Sequence, residues 1–254
     1  MQFCVCSPTV DRSGILPAPD AAPRPGAGLP AGLGRRGWSW LAGGLLGLAL
    51  IGAQALWPDL AQALDRNKIM ESAARFGPRT AGEAEQLLQM IDRATATEEL
   101  PRLSLVNSFV NKHLNFRDDS EVWGKIDYWA TPLESLDKGR GDCEDYAIAK
   151  YFSLLHAGTP VAKLRMVYVR AQLGGRSLAH MVLAYYAEPG AEPLILDNLL
   201  PEVRPASQRP DLQPVFSFNG EGLWQGVGAT SAGDPLARLS QWRDLLSKAR
   251  AEGF

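Results

Sequence analysis

The segment Asp142-Cys-Glu-Asp-Tyr-Ala-Ile-Ala-Lys-Tyr-Phe-Ser-Leu-Leu-His156 constrains the fold more than any other part of the chain. Asp142 is a good helix N-cap with Asp145 three residues on, and Gly158 supplies a stop, so the spacing predicts a helix from Cys143 to His156. Its apolar positions, Ala147, Ile148, Tyr151, Phe152 and Leu155, cover a face broader than the stripe of a surface helix. Other elements must wrap this helix, and in doing so they enclose a cysteine in its first turn.

The preceding segments read as helices. Residues 64–76 are stopped by Gly77-Pro78, and residues 81–94 carry Leu87, Leu88, Met90 and Ile91. Thr97 is placed to cap a third helix with Pro101 in its first turn, and Leu103, Val106, Val110 and Leu114 form one stripe along it. A loop rich in Asp, Gly and aromatic residues is expected from Asn115 to Gly141. After Pro160 the period falls to two or to short β-branched runs. Leu164–Ala171, His180–Tyr186 and Leu194–Leu196 read as strands, the first two a hairpin across Gln172–Ser177. Pro201, Pro205, Pro210 and Pro214 predict a wrapping loop without regular ladders. A Gly-rich aromatic stretch with Phe216, Phe218 and Trp224 then leads to a final helix over Pro235–Arg250. Helices first and hairpin strands afterwards make the expected class α+β, with the cysteine-bearing helix packed on an antiparallel sheet.

The first quarter of the chain is different in kind. Residues 1–63 hold 10 of the 25 Gly and 7 of the 18 Pro, with no Lys and no Glu. Arg35 and Arg36 precede an uncharged run from Gly37 to Pro58, and the A-x-A sites Ala53-Gln54-Ala55 and Ala61-Gln62-Ala63 follow its densest part. A positive flank, a short apolar stretch and then small residues are in signal-peptide order, with the second site preferred for cleavage. The same run is just long enough to be a retained membrane anchor. Reading 1–63 as a leader leaves a domain of residues 64–254, ample for a single core. Its only cysteine is Cys143, because Cys4 and Cys6 go with the leader. The whole chain has 26 basic and 28 acidic residues, without the basic footprint of a nucleic-acid binder. It carries no P-loop, dinucleotide fingerprint or zinc-type Cys/His spacing.

A thiol at a helix N-terminus meets unpaired N–H groups and the positive end of the macrodipole, which favour thiolate and make a nucleophile. A nucleophilic cysteine needs a base, and the base needs an orienting partner. Of the three histidines, His113 ends a surface helix, and His156 lies about 20 Å along the helix axis from Cys143 at 1.5 Å per residue. His180, at the opening of a strand, is the candidate base. Asp197, at the end of the run Leu194-Ile-Leu196, is the candidate orienter. Asp142, Glu144 and Asp145 crowd negative charge around Cys143, which opposes thiolate formation and calls for a neutralising cation. All-oxygen ligands in a loop suit Ca²⁺, with carbonyls near Trp123–Tyr128 free to complete a shell.

The order Cys143, His180, Asp197 on helix, strand and strand is similar to that of the papain and transglutaminase-like enzymes. More specifically, Asp127-Tyr-Trp-Ala-Thr-Pro-Leu-Glu134, Gly141-Asp-Cys-Glu-Asp-Tyr-Ala-Ile-Ala-Lys-Tyr-Phe152, Leu164-Arg-Met-Val-Tyr168, Ala179-His-Met-Val-Leu183 and Leu196-Asp-Asn198 resemble the bacterial transglutaminase-like cysteine proteinases. The likeness spans roughly residues 64–215. It implies Cys143 as nucleophile, His180 as base, Asp197 as orienter and calcium beside the cysteine. It also implies a periplasmic protease that clips the N-terminal region of a large surface adhesin and so releases cells from biofilms. Control would come from an inner-membrane cyclic-di-GMP receptor of the LapD type. Chain order alone leaves two rivals open: amide acyl transfer by the same triad, as in a transglutaminase, and a non-catalytic module that docks a receptor.

Overall fold

The computed structural model describes residues 64–228 and 231–254. The leader expected over 1–63, with both A-x-A sites, lies outside the described residues. Among the described residues no helix is long and apolar enough to cross a membrane.

Three helices come first: α1 (Arg66–Phe76), α2 (Pro78–Thr95) and α3 (Glu99–His113). The Asp65 side chain caps α1 by accepting from the Lys68 N–H at 3.0 Å. Gly77-Pro78 separates α1 from α2, as expected, with the proline in the first turn of α2. Thr97 does not cap α3. Its hydroxyl donates to the Arg93 carbonyl, and Glu98 holds the cap position instead. The predicted stripe of Leu103, Val106, Val110 and Leu114 is buried.

The expected loop 115–141 is not structureless. It contains β1 (Asn115–Phe116), α4 (Asp119–Val122), α5 (Pro132–Lys138) and β2 (Arg140–Gly141). Helix α5 is fixed by a capping box, in which Thr131 Oγ1 accepts from the Glu134 N–H and Glu134 Oε2 accepts from the Thr131 N–H. Strands β1 and β2 pair in parallel, tying the end of α3 to the residues immediately before the cysteine.

Helix α6 (Cys143–His156) has the predicted bounds and is enclosed on all sides, with every residue from Cys143 to Leu154 buried. Helices α2, α3 and α5 and strands of the main sheet pack around it. Trp242, from the C-terminal end of the chain, is fully buried and meets Trp129, Tyr151 and Phe218 edge-on.

The strands that follow are β3 (Leu164–Leu173), β4 (Arg176–Tyr185), β5 (Leu194–Leu196), β6 (Arg204–Pro205), β7 (Leu212–Phe218), β8 (Leu223–Gln225) and β9 (Ser231–Gly233). They form one antiparallel sheet in the order β6-β5-β4-β3-β7-β8-β9. The predicted hairpin is β3–β4, closed by Gly174 and Gly175, both at positive φ, as the tight turn of twisted strands requires. The region expected to be a wrapping loop and a loose aromatic stretch instead supplies β6, β7 and β8. Pro214 is accommodated where the β3–β7 register shifts, opposite Val169, and where β8 does not pair beyond Phe216. A residue without an N–H costs nothing at such an unpaired edge. The final helix is broken into α7 (Pro235–Arg238) and α8 (Ser240–Glu252) by Leu239, whose backbone is extended.

Candidate active site

Cys143 is the first residue of α6 and is fully buried, its Sγ 3.1 Å from Glu144 Oε2. Asp142 holds the N-cap place without a capping bond from its side chain. Its carboxylate belongs instead to a cluster of acids that folds around the helix start.

His180 does not open its strand. It is the fifth residue of β4, opposite Val169 of β3, on the strand that packs against α6. The register Leu183↔Leu196 puts Asp197 one step beyond the end of β5, diagonal to His180. There His180 Nε2 donates to Asp197 Oδ1 at 2.8 Å, with both side chains buried. His180 Nδ1 is buried and has no hydrogen-bond partner among the described residues. Asp197 Oδ1 also accepts from the Leu199 N–H at 3.2 Å, and its backbone carbonyl accepts from Asn111 of α3 at 2.9 Å. Burial alone would push the Asp197 carboxyl upward, but hydrogen bonds and charge from His180 and Arg209 outweigh it and hold the group well below the usual carboxylate range. His156 is left out: it stacks on Phe152 and meets Phe254 at a tilt, and burial lowers its pKa to about 4.

Residue-by-residue reading missed Arg209. Its guanidinium is buried, and Nη2 donates to Asp197 Oδ2 at 2.7 Å. Lys150, two turns after Cys143 on α6, was missed as well. It is fully buried, its Nζ has no hydrogen-bond partner among the described residues, and burial lowers its pKa to about 7 against the opposing pull of Asp197.

The acids around Cys143 are joined by two residues from the region taken as a loop, Asp119 and Asp127. Three overlapping sets have one ligand atom per residue within 4.8 Å of one another: Asp142, Cys143 and Glu144; Asp119, Asp142 and Asp145; and Asp119, Asp127 and Glu144. The carboxyls titrate high. Burial, then the charge of Asp142, raises Asp119 to about 7 despite a hydrogen bond from the Tyr128 N–H. Burial and the charges of Asp127 and Asp118 raise Asp142 to about 6. Burial and neighbouring acids carry Glu144 and Asp145 well above their ordinary values. Asp145 Oδ1 accepts from the Ala130 N–H at 2.9 Å. One oxygen each of Asp119, Asp142 and Asp145 is buried without a partner among the described residues. Gly141 makes room for this packing, since a Cβ there would lie 2.6 Å from Asp145 Oδ2. A hydrogen on Cα is all that fits.

Residues 72–211 match the family described as bacterial transglutaminase-like cysteine proteinase. The chain belongs to that family. Solved structures with the same transglutaminase-like fold agree. Legionella pneumophila LapG is 38% identical with a TM-score of 0.64, covering 74% of this chain and 97% of that one. The EGTA-treated form of the same protein gives 37% and 0.66, over 74% and 99%. Its calcium-bound form gives 38% and 0.62, over 72% and 98%. No curated protein matches the chain. As a bacterial transglutaminase-like cysteine proteinase, the chain is a thiol protease.

Proposed function

We propose that Cys143 is the nucleophile of this proteinase, His180 its base and Asp197 the group that orients the base. The observation that carries the reading is the Nε2-to-Asp197 hydrogen bond, which pins the imidazole and leaves Nδ1 without a partner among the described residues, able to exchange a proton. The Cys143 thiol gives its proton to Nδ1 as sulfur attacks the scissile carbonyl. Nδ1 returns that proton to the leaving amine, and water then releases the acyl group from sulfur. Backbone N–H groups at the start of α6, including that of Cys143, face the developing oxyanion.

The acid cluster is the reading's metal site. Asp142, Glu144 and Asp145, joined by Asp119 and Asp127, offer only hard oxygen donors, and one oxygen each of Asp119, Asp142 and Asp145 is buried without a partner among the described residues. That donor set fits Ca²⁺. A bound calcium ion would supply the positive charge that the cluster lacks. The likeness to LapG, solved with calcium and after EGTA treatment, supports the same choice.

On this reading residues 1–63 are the export leader and 64–254 the periplasmic protease domain. The substrate is the N-terminal region of a large surface adhesin, whose release promotes biofilm dispersal, and an inner-membrane cyclic-di-GMP receptor of the LapD type restrains the enzyme. The test incubates the purified chain with an adhesin N-terminal fragment and reads the products by mass spectrometry. Scission is expected with Ca²⁺, is abolished by EGTA and restored by Ca²⁺, and is absent in Cys143→Ala. Cleavage by Cys143→Ala, or amine incorporation without scission, overturns the reading.

A further inference from the structure

Asp197 is a buried anion that touches the candidate base, and its surroundings are more elaborate than a plain orienter requires. Both oxygens are engaged: Oδ1 by His180 and the Leu199 N–H, Oδ2 by Arg209. Arg209 is itself held. Its Nε donates to Asp211 Oδ1 at 3.0 Å, and Nη2 donates to Asp211 Oδ2 at 2.8 Å as well as to Asp197. The Arg209 N–H and carbonyl close turns with Ala206 and Leu212, and the Asp211 carbonyl accepts from Gln172 at the end of β3. The guanidinium is therefore fixed at both ends. With both oxygens bonded in different directions, the carboxylate cannot turn about its last torsion without breaking a charge-assisted bond.

From this geometry we propose that Arg209 is a positioning residue of the active site, which locks the Asp197 carboxylate and limits how strongly that carboxylate holds a proton on His180. The proposal rests on the triad reading above. The physical argument is one of competition. A carboxylate bonded only to an imidazole stabilises the imidazolium with its whole charge, and a second cation on the other oxygen takes part of that field. An imidazolium held too strongly is a poor donor to a leaving amine, and one held too weakly does not form. Among the described residues, helix α6 brings to the pair Lys150, which acts on Asp197 through charge alone, and, on the proposed mechanism, the Cys143 thiol with the Glu144 carboxyl 3.1 Å from its sulfur, while β3 sets uncharged Val169 opposite His180 and leaves Arg170 exposed. Asp211 stands behind Arg209, half-exposed.

The chain has only three histidines, so ¹⁵N-histidine NMR of the full chain, in a Cys143→Ala background that removes thiol titration, resolves His180 directly. Arg209→Gln is expected to raise the His180 titration midpoint by about one pH unit, a tenfold tighter hold on the proton. Arg209→Lys, which keeps the charge, is expected to return most of that shift. Asp211→Asn, a half-exposed change that spares the core, is expected to move the midpoint in the opposite direction, because it leaves Arg209 less compensated. An unmoved midpoint in Arg209→Gln overturns the proposal, as does an equal rise in Arg209→Lys. If Arg209→Gln fails to fold, Asp211→Asn decides: an unmoved or raised midpoint overturns the proposal. The titration needs no substrate, so its failure is distinct from failure of the adhesin-cleavage test.

Discussion

Removing the cation from the acid cluster should make the protein's stability depend steeply on pH, with a sign fixed by the structure. Asp119 is carried from 3.8 to about 7 and Asp142 from 3.8 to about 6, mainly by burial. A carboxyl whose pKa is raised on folding binds its proton more tightly in the folded state, so the folded state is favoured at low pH. That advantage is lost as pH rises from about 4 through the folded pKa, and the loss is complete above about 7. At 1.36 kcal/mol per unit, the full ionisation of Asp119 costs about 4 kcal/mol and that of Asp142 about 3 kcal/mol. The two share one cluster and do not add in full, so about 5 kcal/mol is the working figure. Of this, about 3 kcal/mol accrues between pH 5 and pH 7.5, or roughly 10 °C of melting temperature for a domain of this size. The assay is thermal unfolding by circular dichroism in EGTA and in millimolar Ca²⁺ across that range. Lowered pKa values at His156 and Lys150 and the raised one at Glu252 add their own slopes, but they titrate in both samples and cancel in the difference. The calcium-minus-EGTA difference should therefore grow by roughly 10 °C from pH 5 to pH 7.5. Asp119→Asn should raise the EGTA melting temperature at pH 7.5 and shrink the calcium response. A difference that is flat with pH would refute the reasoning, because it would mean that these acids do not bear the ion's charge.

Two further perturbations probe the packing that holds the site. Gly141→Ala forces a methyl group to within 2.6 Å of Asp145 Oδ2, so it should cost about 1–3 kcal/mol and weaken calcium binding, both readable by urea unfolding and calorimetric titration. Trp242→Ala empties a fully buried position between Trp129, Tyr151 and Phe218, and its urea midpoint should report a loss of about 3–5 kcal/mol.

Much of the fold was legible because its signals are local. The start of helix α6 and its end just before Gly158 are legible, since its N-cap position, apolar breadth and terminal glycine all lie within a 17-residue stretch. Strand β5 matches its expected bounds and the β3–β4 hairpin its expected pairing, though β4 starts four residues before His180, because period-two patterning needs no distant partner to be recognised. Helix α5 carries a local signal in its sequence, the Thr131-Pro-Leu-Glu134 capping box. Strands β6 and β7 were obscured by proline. Pro205 lies in an edge strand and Pro214 at a register shift, and only the neighbouring strands show that no ladder bond is lost at either place.

The sequence by itself determined which residue begins the enclosed helix, that His180 lies on a strand, and that acids crowd the cysteine. Those properties follow from residue type and spacing along one element. Only the tertiary structure decided that Asp119 and Asp127 join Asp142, Glu144 and Asp145, and that Arg209 grips the far oxygen of Asp197. Each of these contacts is made by a loop or a short helix end meeting a distant element. No periodicity announces such a meeting, and a guanidinium as deeply buried as that of Arg209 is unfavourable until the fold brings Asp197 and Asp211 to it.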